Sequence, residues 1–299
     1  MFEELKACKL CPRGCGVNRL EGQRGFCGAG DKVKLARAAL HHWEEPCLSG
    51  ERGSGAVFFS YCTLGCVYCQ NYEISKEGKG KEVDYKALAT IFLNLQEQGA
   101  HNINLVTPTH YVPQIKEALY LAKDKGLRLP IVYNTSGYET KETLSMLRGL
   151  IDIYLPDFKY FKAEYANKYS HAPHYVSFVK EAIEEMLNQV GKPCFDAEGL
   201  MLKGVIVRHL LLPGLLFDSK KIVTYLYTTY GSSLYMSLMN QYTPLKNVEK
   251  YKELNRPLNP VHYDFIIEYA LELGVEKGFI QEGETALESF IPPFNEEGI

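Results

Sequence analysis

The chain has 299 residues, 46% of them hydrophobic, 12% aromatic and 23% charged, with a formal net charge of −3. A chain of this length buries roughly 75% of its unfolded surface, so its core needs no disulfides, and the composition excludes a disordered or collagen-like chain. The balanced charge gives no basic footprint for nucleic acid, and the greasiest stretch is broken by Arg208, His209 and Pro213, which excludes a membrane span.

The opening residues, MFEELKACKL, lack the apolar stretch of an export signal, so a soluble, cytoplasmic protein with no membrane or nucleic-acid partner is expected. Residues 1–50 are rich in glycine, carry Cys8, Cys11, Cys15 and Cys27, and show few apolar residues at a helix or strand period. They read as a small metal-stapled extension. From 56 onward, short apolar runs alternate with amphipathic helices. AVFFSY (56–61) is the first strand, followed by a charged loop, KEGKGKE (76–82), and a helix capped at Asp84 and closed by Gly99. NINLV (102–106) precedes a helix with Pro113 in its first turn; PIVYN (130–134) precedes a short helix capped near Thr140. IDIYL (151–155) leads to a helix burying Phe178, Val179, Ala182, Ile183, Met186 and Val190. GVIVRHLLL (204–212) is followed by a helix capped at Asp218, and SLYMSLM (233–239) by a weaker helix near 246–254. A last helix over 259–273, capped at Asn259, is expected to pack across the barrel wall.

Six strand–helix units in succession imply parallel strands joined by right-handed crossovers, as in a partial or complete TIM-like barrel or an open doubly wound sheet. Either fold puts its chemistry at the carboxyl ends of the strands. The expected domains are a Cys-rich metal-binding extension (1–50), an α/β core (51–242) and a C-terminal helical extension (243–299).

Seven of the nine cysteines fall into two tight groups, which in a reducing compartment points to metal rather than disulfides. Cys47 and Cys194 have no partners at ligand spacing and read as ordinary buried thiols. After the first strand comes YCTLGCVYCQN (61–71), with the spacing Cys62-x3-Cys66-x2-Cys69. Three thiolates leave a tetrahedral zinc one ligand short, but can hold three irons of a cubane [4Fe–4S] cluster, with the fourth iron open to substrate or cofactor. Zinc with a distant fourth ligand, or a group of core thiols, is the plainer alternative. Cys8, Cys11, Cys15 and Cys27 supply four thiolates, enough to saturate zinc, a single iron or a second cluster.

The CxxxCxxC spacing, with Tyr68 just before the last cysteine, resembles the signature of radical S-adenosylmethionine (SAM) enzymes. CPRGCGVNR (11–19), CTLGCVYCQNYEIS (62–75) and RHLLLPG (208–214) resemble, more narrowly, the iron–sulfur relatives of pyruvate formate-lyase activating enzyme. The resemblance runs from residue 1 to about 240 and implies a (β/α)6 partial TIM barrel. It also implies a [4Fe–4S] cluster on Cys62, Cys66 and Cys69, whose open iron binds SAM. Reductive cleavage there gives methionine and a 5′-deoxyadenosyl radical that abstracts hydrogen. The narrower resemblance suggests an oxidoreductase of activase type acting on a glycyl radical enzyme, with another protein, a peptide or a small molecule as alternative substrates. A low-potential reductant such as flavodoxin or ferredoxin would supply the electron.

Candidate cofactor contacts sit at strand ends: Tyr68 for the adenine, Thr107 and Thr109 where family members carry a Gly-Gly-Glu-like motif that this chain lacks, and Asn134 and Ser136 for ribose or carboxylate. Asp157 and Lys159 resemble the Asp-x-Lys of activating enzymes, and Arg208, inside an apolar run, needs an anion. An ion pair of Asp157 with Lys159 or Arg208 that is purely architectural is the plainer reading. Met239 and Gln241 are candidates to line the cavity, and His110 is the most tempting catalytic residue, although a lone His is more often a hydrogen-bonded structural group. A non-catalytic iron–sulfur or zinc protein for electron transfer or assembly is the rival from another class; a pure carrier, however, normally offers four protein ligands.

Overall fold

A computed structural model describes residues 2–281 and 292–299. Its strands, in chain order, are β1 (Val33–His41), β2 (Ser54–Phe59), β3 (Lys81–Val83), β4 (Ile103–Val106) and β5 (Ile131–Thr135), then β6 (Ile153–Pro156), β7 (Cys194–Phe195), β8 (Met201–Leu210), β9 (Tyr235–Met239) and β10 (Gly278–Ile280). The helices are α1 (Pro46–Ser49), α2 (Tyr72–Ser75), α3 (Tyr85–Glu97), α4 (Val112–Asp124) and α5 (Lys141–Ser145), then α6 (Ala163–Ser170), α7 (Tyr175–Val190), α8 (Leu216–Tyr230) and α9 (Pro260–Leu273).

The strands form one sheet in the order β10-β9-β8-β6-β5-β4-β2-β1-β3, with β7 a short partner of β8. From β2 through β10 the neighbours along this path pair in parallel. This is the sheet of a partial TIM barrel, open rather than closed. The six parallel strands read from the sequence are β2, β4, β5, β6, β8 and β9. Every residue of β2, β5 and β6 is buried, as expected for parallel strands covered on both faces. The amphipathic helices supply that cover: α3 buries Leu88, Ala89, Ile91, Phe92 and Leu95 and packs against α4, while α7 buries Val179, Ala182, Ile183, Met186 and Val190. Burying a side chain such as Phe92 contributes about 2 kcal/mol. Asp84, Thr140 and Asn259 cap their helices through side-chain oxygens, as read from the sequence.

Several elements differ from the expectation. Residues 1–50 contain a nine-residue strand, β1, that pairs antiparallel with β2. Small Ala36, Ala38 and Ala39 take three of its five buried positions, beside Val33 and Leu35, and a register irregularity between Leu35 and Arg37 breaks its alternation, so it carries little apolar periodicity. The charged loop at 76–82 ends in β3, which pairs with β1. Asp218 is not the cap of α8, which starts at Leu216; its buried carboxylate instead accepts from the backbone N–H groups of Phe161 (2.7 Å) and Lys162 (3.1 Å), holding the segment after β6. Near 246–254 there is only a single 3-10 turn, Lys246–Val248. α9 lies on α8, and beyond it β10 adds to the sheet edge beside β9. Cys47 is buried, but Cys194 is exposed. Among the described residues no helix is long and apolar enough to cross a membrane.

Candidate functional site at the strand ends

The loop that leaves β2 turns sharply at Tyr61, whose φ of 75° is in the left-handed region that non-glycine residues rarely enter. Cys62, Cys66 and Cys69 follow, all free thiols and all half-buried. Each sulfur sits near a polar partner: Leu64 N–H lies 3.4 Å from Cys62 Sγ, Ser170 Oγ–H donates to Cys66 Sγ at 2.9 Å, and the Ser75 hydroxyl lies 3.2 Å from Cys69 Sγ. Gly65 makes the turn between the first two thiols at φ +78°, where any side chain would be strained. Burial pushes the Cys62 thiol up to about 12 and raises Cys69 as well, so a bound cation is what would stabilise thiolates here at neutral pH.

The three sulfurs line a cavity of about 180 Å3 together with Thr107, Asn134, Ser136, Asp157, Lys159 and Arg208. A second cavity of about 250 Å3 shares Cys66, Cys69, Asn134, Asp157, Lys159 and Arg208 with it, and adds Glu44, Tyr68, Gln70 and Gln241. Asp157, Lys159 and Arg208 come from the ends of β6 and β8, which remain paired there by a bridge between Asp157 and Arg208. Asp157 accepts from Lys159 Nζ at 2.6 Å and from Arg208 Nε at 3.1 Å. Arg208 also donates to Glu44 Oε2 at 3.2 Å and to Asn134 Oδ1 at 2.5 Å. Burial disfavours the ionised carboxyl of Asp157, but Lys159 and Arg208 outweigh it and its pKa falls below the usual range. Burial likewise opposes the charge on Lys159, and Asp157 and then Cys66 more than restore it. Three sulfur donors and a paired cation group thus face one space.

A family model described as "Radical SAM superfamily" matches residues 56–215. The chain belongs to the radical SAM superfamily. A curated relative, "Uncharacterized protein MJ0674" of Methanocaldococcus jannaschii, is 31% identical over 282 residues, covering 90% of this chain and 74% of the relative. Among solved structures, Streptococcus suis SuiB bound to the precursor peptide SuiA aligns with a TM-score of 0.52 at 13% identity, over 75% of this chain and 47% of SuiB. The FeFe-hydrogenase maturase HydG of Carboxydothermus hydrogenoformans aligns at 0.52 with 14% identity, over 79% and 55%. Methylornithine synthase (PylB) aligns at 0.51 with 15% identity, over 82% and 65%. At such identities the likeness is one of fold, and this chain spans less than two thirds of each of these structures. Membership of the superfamily, shown by the family model, makes this a radical SAM enzyme, and the family implies a [4Fe–4S] cluster and SAM.

In this radical SAM chain the residues expected at the site are only partly together. Thr107 lines the smaller cavity and has φ +61°, an uncommon backbone for a β-branched residue immediately after β4. Asn134 and Ser136 line it too, as does the Asp157–Lys159–Arg208 group. Tyr68 lines the larger cavity and is held by Tyr160, whose hydroxyl donates to it at 2.8 Å. Met239 and Gln241 are there as well. Thr109 stands apart: fully buried, it donates to Glu139 Oε1 at 2.5 Å and lines neither cavity. Glu139 also accepts from Thr135 and, at 3.4 Å, from Tyr133, yet burial raises its pKa to about 7.

Glu44 was not anticipated. It lies in the turn between β1 and α1, and no local spacing marks it; the one clue was that Arg208, inside an apolar strand, requires anions. Gln70 was also missed, although it follows the last thiol directly; its amide donates to the Gln241 carbonyl at 2.9 Å across the larger cavity.

Proposed function

We propose that Cys62, Cys66 and Cys69 hold the [4Fe–4S] cluster and that Lys159 and Arg208 bind the SAM carboxylate. What supports this reading above all is that the three thiols share one cavity with a strand-end cluster of two half-buried cations, Lys159 and Arg208, around Asp157. A cluster held by Cys62, Cys66 and Cys69 would supply the one electron that reductive cleavage of SAM requires, and hydrogen abstraction is the chemistry that cleavage would serve.

The chain's own residues prepare the site. Asp157 keeps Lys159 and Arg208 charged although both are half-buried and desolvation opposes their charge, and Glu44 holds the guanidinium as well. An incoming carboxylate finds two cations already oriented and desolvated, so little reorganisation accompanies binding. Asn134 and Ser136 offer polar atoms for the ribose, Thr107 offers one for the ammonium, and the locked Tyr68 ring offers a face for the adenine. Ser170 donates to Cys66 Sγ and the Ser75 hydroxyl lies within hydrogen-bond reach of Cys69 Sγ, an arrangement that favours thiolate ligands.

The finer reading is an activase-like enzyme that abstracts hydrogen from a glycine of a partner protein, using a flavodoxin- or ferredoxin-type reductant. It rests on the three matched segments, 11–19, 62–75 and 208–214. SuiB bound to its precursor peptide illustrates a peptide substrate on a related fold, so a peptide is the neighbouring alternative. Anaerobic reconstitution with iron and sulfide tests the assignment of the cluster. Roughly four irons per chain, lost in Cys66→Ser, and an electron paramagnetic resonance signal of the reduced cluster that shifts on adding SAM are expected. Iron content indifferent to Cys66→Ser would overturn the ligand assignment, and a signal indifferent to SAM would favour an electron carrier.

A further inference from the structure

Outside the cavity just described, the thiols of Cys8, Cys11, Cys15 and Cys27 line one small enclosed pocket of about 10 Å3, together with Arg19 and His110. The twenty residues from Cys8 to Cys27 are folded back on themselves to achieve this. Cys8 N–H donates to Val17 O and Gly16 N–H to Cys8 O, both at 2.9 Å, and Gly14 N–H closes a turn onto Cys11 O at 3.0 Å. Phe26 N–H points at Cys15 Sγ, 3.4 Å away. A Cβ on Gly25 would stand 2.9 Å from that sulfur, so only glycine lets the second limb approach the thiol.

Two features of this pocket call for an occupant. Arg19 is fully buried (1% exposed), and its partners are the carbonyls of Gly30 and His110 and, at 3.8 Å, Cys8 Sγ; among the described residues no carboxylate pairs with it. A buried guanidinium without a counter-ion is costly. The second feature is His110, 2% exposed. Its Nε2–H donates to Ser60 O at 2.8 Å, which leaves Nδ1 as a bare acceptor, and that buried atom has no partner among the described residues. An unneutralised cation against a thiol-lined pocket, with His110 and its unpartnered Nδ1 in the same lining, is what a metal ion with thiolate ligands would neutralise.

We propose that Cys8, Cys11, Cys15 and Cys27 bind one divalent ion, zinc or ferrous iron, in a closed tetrahedral centre whose negative charge is balanced by buried Arg19. Four thiolates around a divalent ion leave two negative charges, which supplies the anion that Arg19 lacks. The pocket admits a body of about one water's size, which suits a single ion rather than a cubane. Among the described residues no three His, Cys, Asp or Glu side chains already stand at ion-binding spacing, so loading turns the thiols inward and releases their protons. The centre would staple the wall of the three-thiol loop: Arg13, between its second and third ligands, donates to Thr63 O (3.0 Å) and Leu64 O (2.8 Å).

The test uses the full-length triple variant Cys62→Ala/Cys66→Ala/Cys69→Ala, so that the first site contributes no metal and failure here is separable from failure of the proposed function. About one zinc or iron per chain without acid-labile sulfide is expected. Replacing the ion by Co2+ should give the intense visible bands of tetrahedral cobalt–thiolate. Zinc and iron are told apart by the metal analysis, and either supports the centre. Metal below a tenth of an equivalent, iron with matching sulfide, or octahedral cobalt spectra would overturn it. Should the triple variant not fold, Cys11→Ser/Cys27→Ser in the otherwise native chain provides the second arm. It should lose this ion while keeping the iron of the three-thiol loop, and retention of the ion would contradict the proposal. Arg19→Met should raise the Kd for Co2+ at least tenfold; an unchanged Kd would remove Arg19 as the counter-charge.

Discussion

Arg208 and Asp157 are joined twice, once through a parallel backbone bridge between β6 and β8 and once through a side-chain ion pair of 3.1 Å. The bridge fixes where the guanidinium begins, and the carboxylate, with Glu44, fixes where it points. Such a group is held in place before any ligand arrives. Arg208→Met should therefore weaken SAM binding at least tenfold, about 1.4 kcal/mol, while iron content stays unchanged. Anaerobic equilibrium dialysis with labelled SAM measures the first and iron analysis the second. Undiminished affinity would make the pair purely architectural.

Asp157→Asn removes the anion shared by two buried cations. Breaking a buried pair in this way costs about 3 kcal/mol or more, so the thermal midpoint should fall by several degrees. If SAM brings its carboxylate to Lys159 and Arg208, saturating SAM should recover more stability in the variant than in the native protein. Differential scanning fluorimetry with and without SAM reads the difference. Equal gains in both proteins would place the carboxylate elsewhere.

Glu139 gives a pH dependence whose sign is fixed. Burial lifts its pKa from the ordinary carboxylate value of 4.5 to about 7 in the folded protein. Between those values the folded state holds a proton that the unfolded state releases, so stability contributed below pH 4.5 is lost as the pH rises to about 7. At about 1.4 kcal/mol per unit, the loss is on the order of 3 kcal/mol. Glu139→Gln should flatten this part of the profile in urea unfolding run across that range. A profile that keeps its native slope would exclude Glu139 as its source.

Asp218 carries the segment between β6 and α6 on two backbone hydrogen bonds. Asp218→Ala leaves two N–H groups without their acceptor and should cost about 1–3 kcal/mol in urea denaturation. Because Lys159 and Tyr160 lie just upstream, the variant should also bind SAM less tightly. A change below a few tenths of a kcal/mol would show that water replaces the carboxylate.

The parts legible in the sequence were those that announce themselves locally. β2, β4, β5, β6, β8 and β9 are short apolar runs, because strands covered by helices on both faces leave no polar alternation. The three-thiol loop and the Asp157–Lys159 pair are marked by spacing. β1 stayed hidden because alanines take three of its five buried positions and lysine and arginine interrupt them. Thr109 was drawn toward the site by its place after β4, but its hydroxyl is committed to Glu139, a residue thirty positions away. Asp218 looked like a cap for its own helix, whereas its acceptors serve another segment. Glu44 lies far from Arg208 in sequence, and only the fold brings them within 3.2 Å. At Thr109, Asp218 and Glu44 the missing information is a long-range polar pairing, for which local periodicity carries no signal.

The most direct measurement is the yield of 5′-deoxyadenosine from the anaerobically reconstituted protein given SAM and a strong reductant. Formation of 5′-deoxyadenosine and methionine in the native chain, abolished in Cys66→Ala, is the expected result. A fully loaded cluster that leaves SAM intact, or cleavage that persists without Cys66, would contradict the assignment of the three-thiol loop as the site where SAM is split.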